Sequence, residues 1–114
     1  MLTLPWPPSI NTYWRNFRGH TVLSKAGREF KHAVAEYVAA QQLEKFGDKR
    51  LRITLILNPR DKRKIDIDNR VKSVLDSLQD AGLYDDDWQI DELHVYRGEI
   101  IKGGRVLVNI EVIE

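Results

Sequence analysis

The sequence contains no cysteine, which excludes disulfides, thiolate metal sites and a cysteine nucleophile, and which suits a reducing compartment. It also lacks any run near the ~18 consecutive apolar residues that a membrane helix needs. Met1-Leu2-Thr3-Leu4-Pro5 has neither the basic start nor the apolar stretch of a secretion signal, so a soluble cytoplasmic protein is expected. The three histidines, His20, His32 and His94, are too widely spaced to read as a zinc site. No serine sits in a nucleophile elbow, and the seven glycines build no phosphate-cradling loop. Excess charge is missing as well. Eighteen basic residues against 17 acidic ones leave +1, so affinity for a polyanion must come from local patches.

What remains is enough for one domain: 114 residues, 42% of them hydrophobic, fill a single core and leave no second. Leu2-Thr3-Leu4 alternates as a short strand, and Pro5, Pro7 and Pro8 stop it by removing backbone donors, which places it at a sheet edge. Ser24 is an N-cap for a helix from about Lys25 to Lys45, with Phe30, Val34, Tyr37, Val38 and Leu43 on one face and Gly47-Asp48 at its end. Leu51, Ile53, Leu55 and Leu57 alternate with Arg52, Thr54 and Asn58 in a half-buried strand that Pro59 closes. A second helix runs from Asn69 to about Asp80, capped by Asp68 or Asn69. Its buried stripe is Val71, Val74, Leu75 and Leu78, Asp76 and Asp80 face solvent, and Gly82 lies past its end.

Strands follow from about Ile90 to Arg97 and from Val106 to Ile113, separated by the turn Lys102-Gly103-Gly104-Arg105. Leu107 and Ile113 point to the second face of the sheet, where a subunit contact would cover them. The order β-α-β-α-β-β describes a single compact α+β domain, residues 1–114, with helices packed on a mixed or mostly antiparallel sheet.

The stretch that carries chemistry is Asp66-Ile67-Asp68-Asn69-Arg70-Val71-Lys72. In an extended segment Asp66 and Asp68 share a face, and Lys72, one helical turn above Asp68, brings an ammonium to the ground between them. A second acidic run, Asp85-Asp86-Asp87, follows the helix. Five carboxylates in two short loops repel one another unless a cation holds them, and a hard divalent ion suits oxygen ligands. A calcium loop fits badly, since it would need an oxygen ligand at Arg70, glycine at Val71 and glutamate at Ser77. Upstream, Arg60-Asp61-Lys62-Arg63-Lys64 offers cations to a phosphodiester. Ser9 to His20 interleaves Tyr13, Trp14 and Phe17 with Arg15 and Arg18, a composition for stacking on bases and pairing with phosphates. Each feature alone is also what a capped helix, a solvated loop or an aromatic core end would show, so spacing leaves both readings open.

The ordered set is more specific than its parts. Leu4-Pro5-Trp6-Pro7-Pro8-Ser9 with Asn11 and Tyr13, the basic loop leading to Asp66-x-Asp68-Asn69-x-x-Lys72, Asp76-x-Leu78 with Ala81-Gly82, Asp86-Asp87-x-Gln89, and Lys102-Gly103-Gly104-Arg105 together resemble the RusA family of Holliday-junction resolvases of bacteria and their prophages, over nearly the whole chain. The resemblance implies that Asp66, Asp68 and Asp87 are catalytic, metal-binding carboxylates, with Lys72 a functional lysine beside them. It implies dependence on Mg²⁺, with Mn²⁺ as a substitute, a homodimer, and a four-way DNA junction as partner in recombination and repair. Asn69 and Asp86 are accessory candidates; Lys62, Arg63, Lys64, Arg15 and Arg18 are candidates for DNA contact. One departure is Ile65, where the basic run of family members can reach the first aspartate. Two rival functions are a nuclease for flaps or forks, and a non-catalytic junction-binding module with structural acidic loops. All of the catalytic reading requires the carboxylates at 66, 68 and 87 to converge on one ion.

Overall fold

The alternation Leu51, Ile53, Leu55, Leu57 builds strand β4 (Leu51–Asn58), and all four side chains are completely withdrawn from water. β4 is the spine of the computed structural model, which describes residues 1–114. On one side it pairs antiparallel with β6 (Arg105–Val112), on the other parallel with β5 (Ile90–Arg97). β1 (Leu2–Pro5) pairs antiparallel with β6, giving the order β1-β6-β4-β5. The sheet is therefore mixed, and β1 takes the edge position its prolines require. The parallel β4–β5 pair demands a long crossover, which α3 (Val71–Asp80) provides. With α2 (Lys25–Gln41), α3 covers one face of the sheet: Phe30, Val34 and Val38 from α2 and Val74, Leu75 and Leu78 from α3 join the strand leucines and valines in one core. On the opposite face Arg52, Thr54, Ile56 and Leu107 are only half-buried.

Several sequence expectations are corrected. Ser24 caps α2 as expected, accepting from the Gly27 amide at 3.0 Å. The helix ends at Gln41 rather than near Lys45, because Gln42 turns left-handed (φ +50°) and its amide bonds back to Ala39. Leu43 and Phe46 then pack on the core from an irregular segment, which Phe46 N–H···O Leu83 (2.9 Å) anchors. α3 begins at Val71, two residues later than expected. A 3₁₀ turn, Ile67–Arg70, precedes it, and neither Asp68 nor Asn69 caps: the cap position is Arg70, with no side-chain bond. At its other end Gly82 (φ +83°) closes a paired return, with Gly82 N–H to Gln79 O and Leu83 N–H to Leu78 O. The last strand spans Arg105–Val112, one residue earlier than expected at each end.

Asp76 is not a free surface group. It accepts from the Tyr13 hydroxyl at 2.6 Å, and Lys31 reaches both it and Asp80, at 3.4 and 3.5 Å. Tyr13 is itself fully buried at the end of the one-turn helix α1 (Ile10–Tyr13). Burial and the Asp76 bond push its hydroxyl pKa well above the ordinary tyrosine value.

An unexpected element fills 14–23. β2 (Trp14–Phe17) and β3 (His20–Leu23) form a separate antiparallel hairpin, turning through Arg18 (φ +52°) and Gly19 (φ +78°). Two successive positive φ values are the signature of the tight turn that matches strand twist. No helix of the chain is long and apolar enough to cross a membrane.

Candidate active site

The chain leaves β4 at Asn58-Pro59 and passes through the basic loop to Asp66, so the site residues are hung from the end of the central strand. Within that loop Arg63 is already engaged: its guanidinium donates to Asp61 at 2.7–3.1 Å and its amide adds a fourth bond at 3.0 Å. Arg63 in turn holds the Asp61 carboxyl down at about 2. Lys62 and Lys64 are exposed and have no such partner. Of the three loop cations expected at DNA, two are free and one is internally neutralised.

Asp66 is extended (φ −90°, ψ 128°), and Asp68 lies in the 3₁₀ turn; both are exposed. Asp66 shares a concavity of about 340 Å³ with Ser9, Asn11, Lys64, Asn69 and Arg70. The reading of Lys72 needs correction: its ammonium does not return to the Asp66–Asp68 pair. Successive side chains step by about 120° in a 3₁₀ turn and about 100° in an α-helix, so passing Asp68 to Arg70 in the tighter form rotates Asp68 about 40° further from Lys72. Lys72 Nζ instead donates to Asp87 Oδ2 at 3.0 Å. That bond raises its pKa, helped by the charges of Asp76 and Asp86 and opposed by partial burial.

Asp87 is positioned by its neighbours. Asp86 caps the 3₁₀ turn Asp87–Gln89, accepting from Trp88 N–H at 3.1 Å, and the buried Gln89 Oε1 accepts from the amides of Asp85 (3.0 Å) and Asp86 (2.9 Å). Gln89 Nε2 donates to Gly47 O and Lys49 O, so one amide group pins the acidic turn to the start of the sheet. The Asp87 amide donates to Gln79 Oε1 at 3.1 Å, tying the same turn to α3. Asp87 Oδ1 is buried with no hydrogen-bond partner. Nearby, the Tyr84 hydroxyl donates to Leu75 O at 2.6 Å; burial, then the Asp87 charge, drives its pKa far above the ordinary tyrosine value.

The structure thus joins Asp87 to Lys72 across 15 residues of sequence and leaves Asp66 and Asp68 exposed on the segment leading into α3. The convergence of Asp66, Asp68 and Asp87 on one ion that the sequence reading requires is not present, since no three carboxylate or imidazole side chains are gathered closely enough to hold a metal. The donor chemistry nevertheless suits a hard divalent cation, being all oxygen, and the orphaned Asp87 Oδ1 is an acceptor in want of one. Arg15 and Arg18 sit over the Phe17 ring at 5.3 and 5.2 Å, on the exposed hairpin. Gln79 and Gln89 as the braces of Asp87, and Arg70 lining the concavity of Asp66, were given no role by the sequence, which did name Phe17 for stacking and Arg60 in the basic loop. Only the two-residue Arg18-Gly19 turn between aromatic and β-branched residues was a readable signal for the hairpin; the braces depend on long-range contacts.

The pattern that describes the family "Endodeoxyribonuclease RusA" matches residues 5–111. A crossover junction endodeoxyribonuclease of Enterobacteria phage HK97 is 40% identical over 111 residues, which is 97% of this chain and 92% of that protein. The proteins of the same name from Enterobacteria phage 82 and Escherichia coli are each 35% identical over 109 residues, 96% of this chain and 91% of theirs. The match runs through the basic loop, the Asp66–Lys72 segment and the Asp87 turn alike, so the chain belongs to the RusA family of endodeoxyribonucleases.

Proposed function

We propose that this chain resolves four-way DNA junctions, hydrolysing one phosphodiester in each of two matched strands during recombination and repair. The observation that carries the reading is the Lys72–Asp87 pair, held at 3.0 Å, with Lys72 four residues after Asp68 on the segment that follows the basic loop and its free lysines. Asp66, Asp68 and Asp87 are the catalytic carboxylates, with Asn69 and Asp86 accessory. They would have to be drawn together to hold Mg²⁺ or Mn²⁺, which would supply polarisation of the phosphate and a water of lowered pKa. The chain's own contributions follow from charge and position. Lys72 offsets negative charge building on the phosphate, and because its pKa is raised it does so as an ammonium throughout the neutral range. Lys62 and Lys64, with Arg15 and Arg18 on the hairpin, bind the strand backbone and offset the acidic field that would repel DNA. Asp86 acts first as the cap that orients Asp87.

A junction has approximate two-fold symmetry, and one chain carries one such cluster, so a homodimer is part of the proposal. The half-buried second face of the sheet is available to it. Relatives from phage and bacteria favour action in the bacterial cytoplasm, on host or prophage DNA.

The deciding experiment measures incision of a mobile four-way junction, a flap and a linear duplex, with and without Mg²⁺, for wild type and Asp68→Asn. Paired symmetric nicks confined to the junction, dependent on Mg²⁺ and absent from the variant while binding persists, are expected. Preferential cutting of the flap would replace junction resolution with a branched-DNA nuclease, and an active Asp68→Asn variant would remove the catalytic assignment.

A further inference from the structure

Around the concavity next to Asp66 lies a group of cations of which only Lys64 has been given a role. Arg70 is half-buried, its guanidinium 5.1 Å above the Trp6 ring and donating to Pro7 O at 2.7 Å. Its Nε is buried without a partner, and so is Trp6 Nε1. No carboxylate lies within ion-pair distance of Arg70, Arg60 or Lys64: Asp61 is taken by Arg63, and Glu29 and Asp66 line the adjoining concavities without pairing with them. Arg60 is close enough for its charge, added to burial, to lower the Arg70 pKa. Like charges gathered around one concavity repel, and an anion among them would relieve that repulsion. The space for one exists: a concavity of about 170 Å³ between Trp6, Pro59 and Ile65 collects Arg60, Lys64 and Arg70 together with the Asp61–Arg63 pair, which leaves an excess of positive charge. Lys64 and Arg70 also line the adjoining concavity that holds Asp66 and Asn69.

We infer that Arg60, Lys64 and Arg70 form a phosphate-binding pocket, and that its occupant is a backbone phosphate of the same DNA strand that Asp66 approaches. Arginine presents donors in a fork that matches phosphate oxygens, and Arg70 is held ready in that geometry by Trp6 and Pro7. The pocket shares Lys64 and Arg70 with the concavity that holds Asp66, so a phosphate held there would fix the strand next to that carboxylate. This rests on the chain being a nuclease for DNA, although the existence of the anion pocket does not.

The test uses the full-length protein and Arg60→Ala, an exposed position whose replacement leaves the fold intact. Inorganic phosphate is the first probe: it should raise the thermal midpoint of the wild type and fail to raise that of Arg60→Ala. A four-way junction in EDTA is the second. Arg60→Ala should bind it about tenfold more weakly, with the slope of log K against log salt reduced by roughly one phosphate's worth. Replacing single phosphates near the cut by uncharged methylphosphonate should identify one position that weakens the wild type and not Arg60→Ala. Equal thermal shifts and equal junction affinity for the two proteins would overturn the pocket. A phosphate shift lost in Arg60→Ala with junction binding unchanged would overturn the DNA assignment and leave a free-anion site. Wild type that responds to phosphate as expected yet cuts no DNA would count against the nuclease reading and not against the pocket.

Discussion

Lys72 Nζ and Asp87 Oδ2 lie 3.0 Å apart, joining the first turn of α3 to the turn that precedes β5. The bond raises the Lys72 pKa above the unfolded value of 10.5, chiefly through Asp87. A raised pKa means the folded state holds the proton more tightly than the unfolded chain does. The contribution is then complete below about 10.5 and is lost as pH climbs through the higher folded value. Thermal midpoints measured from pH 8 to 11.5 should therefore fall more steeply at the alkaline end for wild type than for Lys72→Met. Incision by Lys72→Met should drop about 10²–10³-fold at neutral pH, by analogy with the loss of one preorganised donor to a developing charge. If the variant keeps full activity, the lysine only holds the turn.

Gln89 is buried and uses all of its amide: two backbone N–H groups donate to its oxygen and its nitrogen donates to two carbonyls. Gln89→Leu would leave the Asp86 amide and the Lys49 carbonyl unpaired, while Asp85 N–H and Gly47 O keep the 3.1 Å bond they make to each other, at a cost of about 2–4 kcal/mol. The thermal midpoint should fall by roughly 10 °C or more. Because the same turn delivers Asp87, kcat of the remaining folded protein should fall along with stability. Loss of stability with unchanged kcat would mean the Lys72 and Gln79 contacts suffice to place Asp87.

Asp61 restrains Arg63, and the pair is exposed, so it matters more for binding than for folding. The Asp61 carboxyl pKa is lowered to about 2, so the pair persists as pH falls until that value is approached and is intact throughout the range of any activity assay. Asp61→Asn should free one guanidinium and remove one negative charge from the loop. Junction affinity should then rise and the salt dependence steepen by about one phosphate contact. Filter binding or fluorescence anisotropy at several salt concentrations would reveal this; an unchanged slope would mean that Arg63 does not reach the backbone even when released.

Periodicity made the scaffold legible because burial dictates it. The leucines and isoleucine of β4, the apolar stripe of α3 and the serine cap of α2 all express local rules, and the strand limits of β4 and β5 follow directly. The helix starts and ends were less legible. Gln42 taking a left-handed turn and the 3₁₀ start of α3 are imposed by where the chain must go next, not by the residues there. The acidic and basic residues of the site were visible as residue types, but their pairing was not. Whether Lys72 faces Asp68 or Asp87 depends on a rotation of tens of degrees and on a turn fifteen residues away. Arg63 looked like a free cation for the same reason, since only the folded loop shows Asp61 holding it.

The β2–β3 hairpin presents Phe17, 48% exposed, between Arg15 and Arg18 at 5.3 and 5.2 Å. Residues 14–23 contain no acidic side chain, so the two arginines are unopposed locally. Arginines flanking an aromatic face can pair with phosphates while the ring stacks on a base, and bases at a branch point are the ones free to leave their neighbours. Base–aromatic stacking is worth about 1–3 kcal/mol, so Phe17→Ala should weaken junction binding about 5- to 150-fold while linear duplex binding changes far less. Because Phe17 is outside the core, the thermal midpoint should stay within a degree or two of wild type, which separates a binding defect from unfolding. Gly19→Ala supplies a second reading of the same hairpin. No atom crowds that position, so its cost is the positive φ alone, about 1–2 kcal/mol, and it should soften the tip without removing a contact. If Phe17→Ala binds junction and duplex as the wild type does, the hairpin carries charge to the DNA and no stacking.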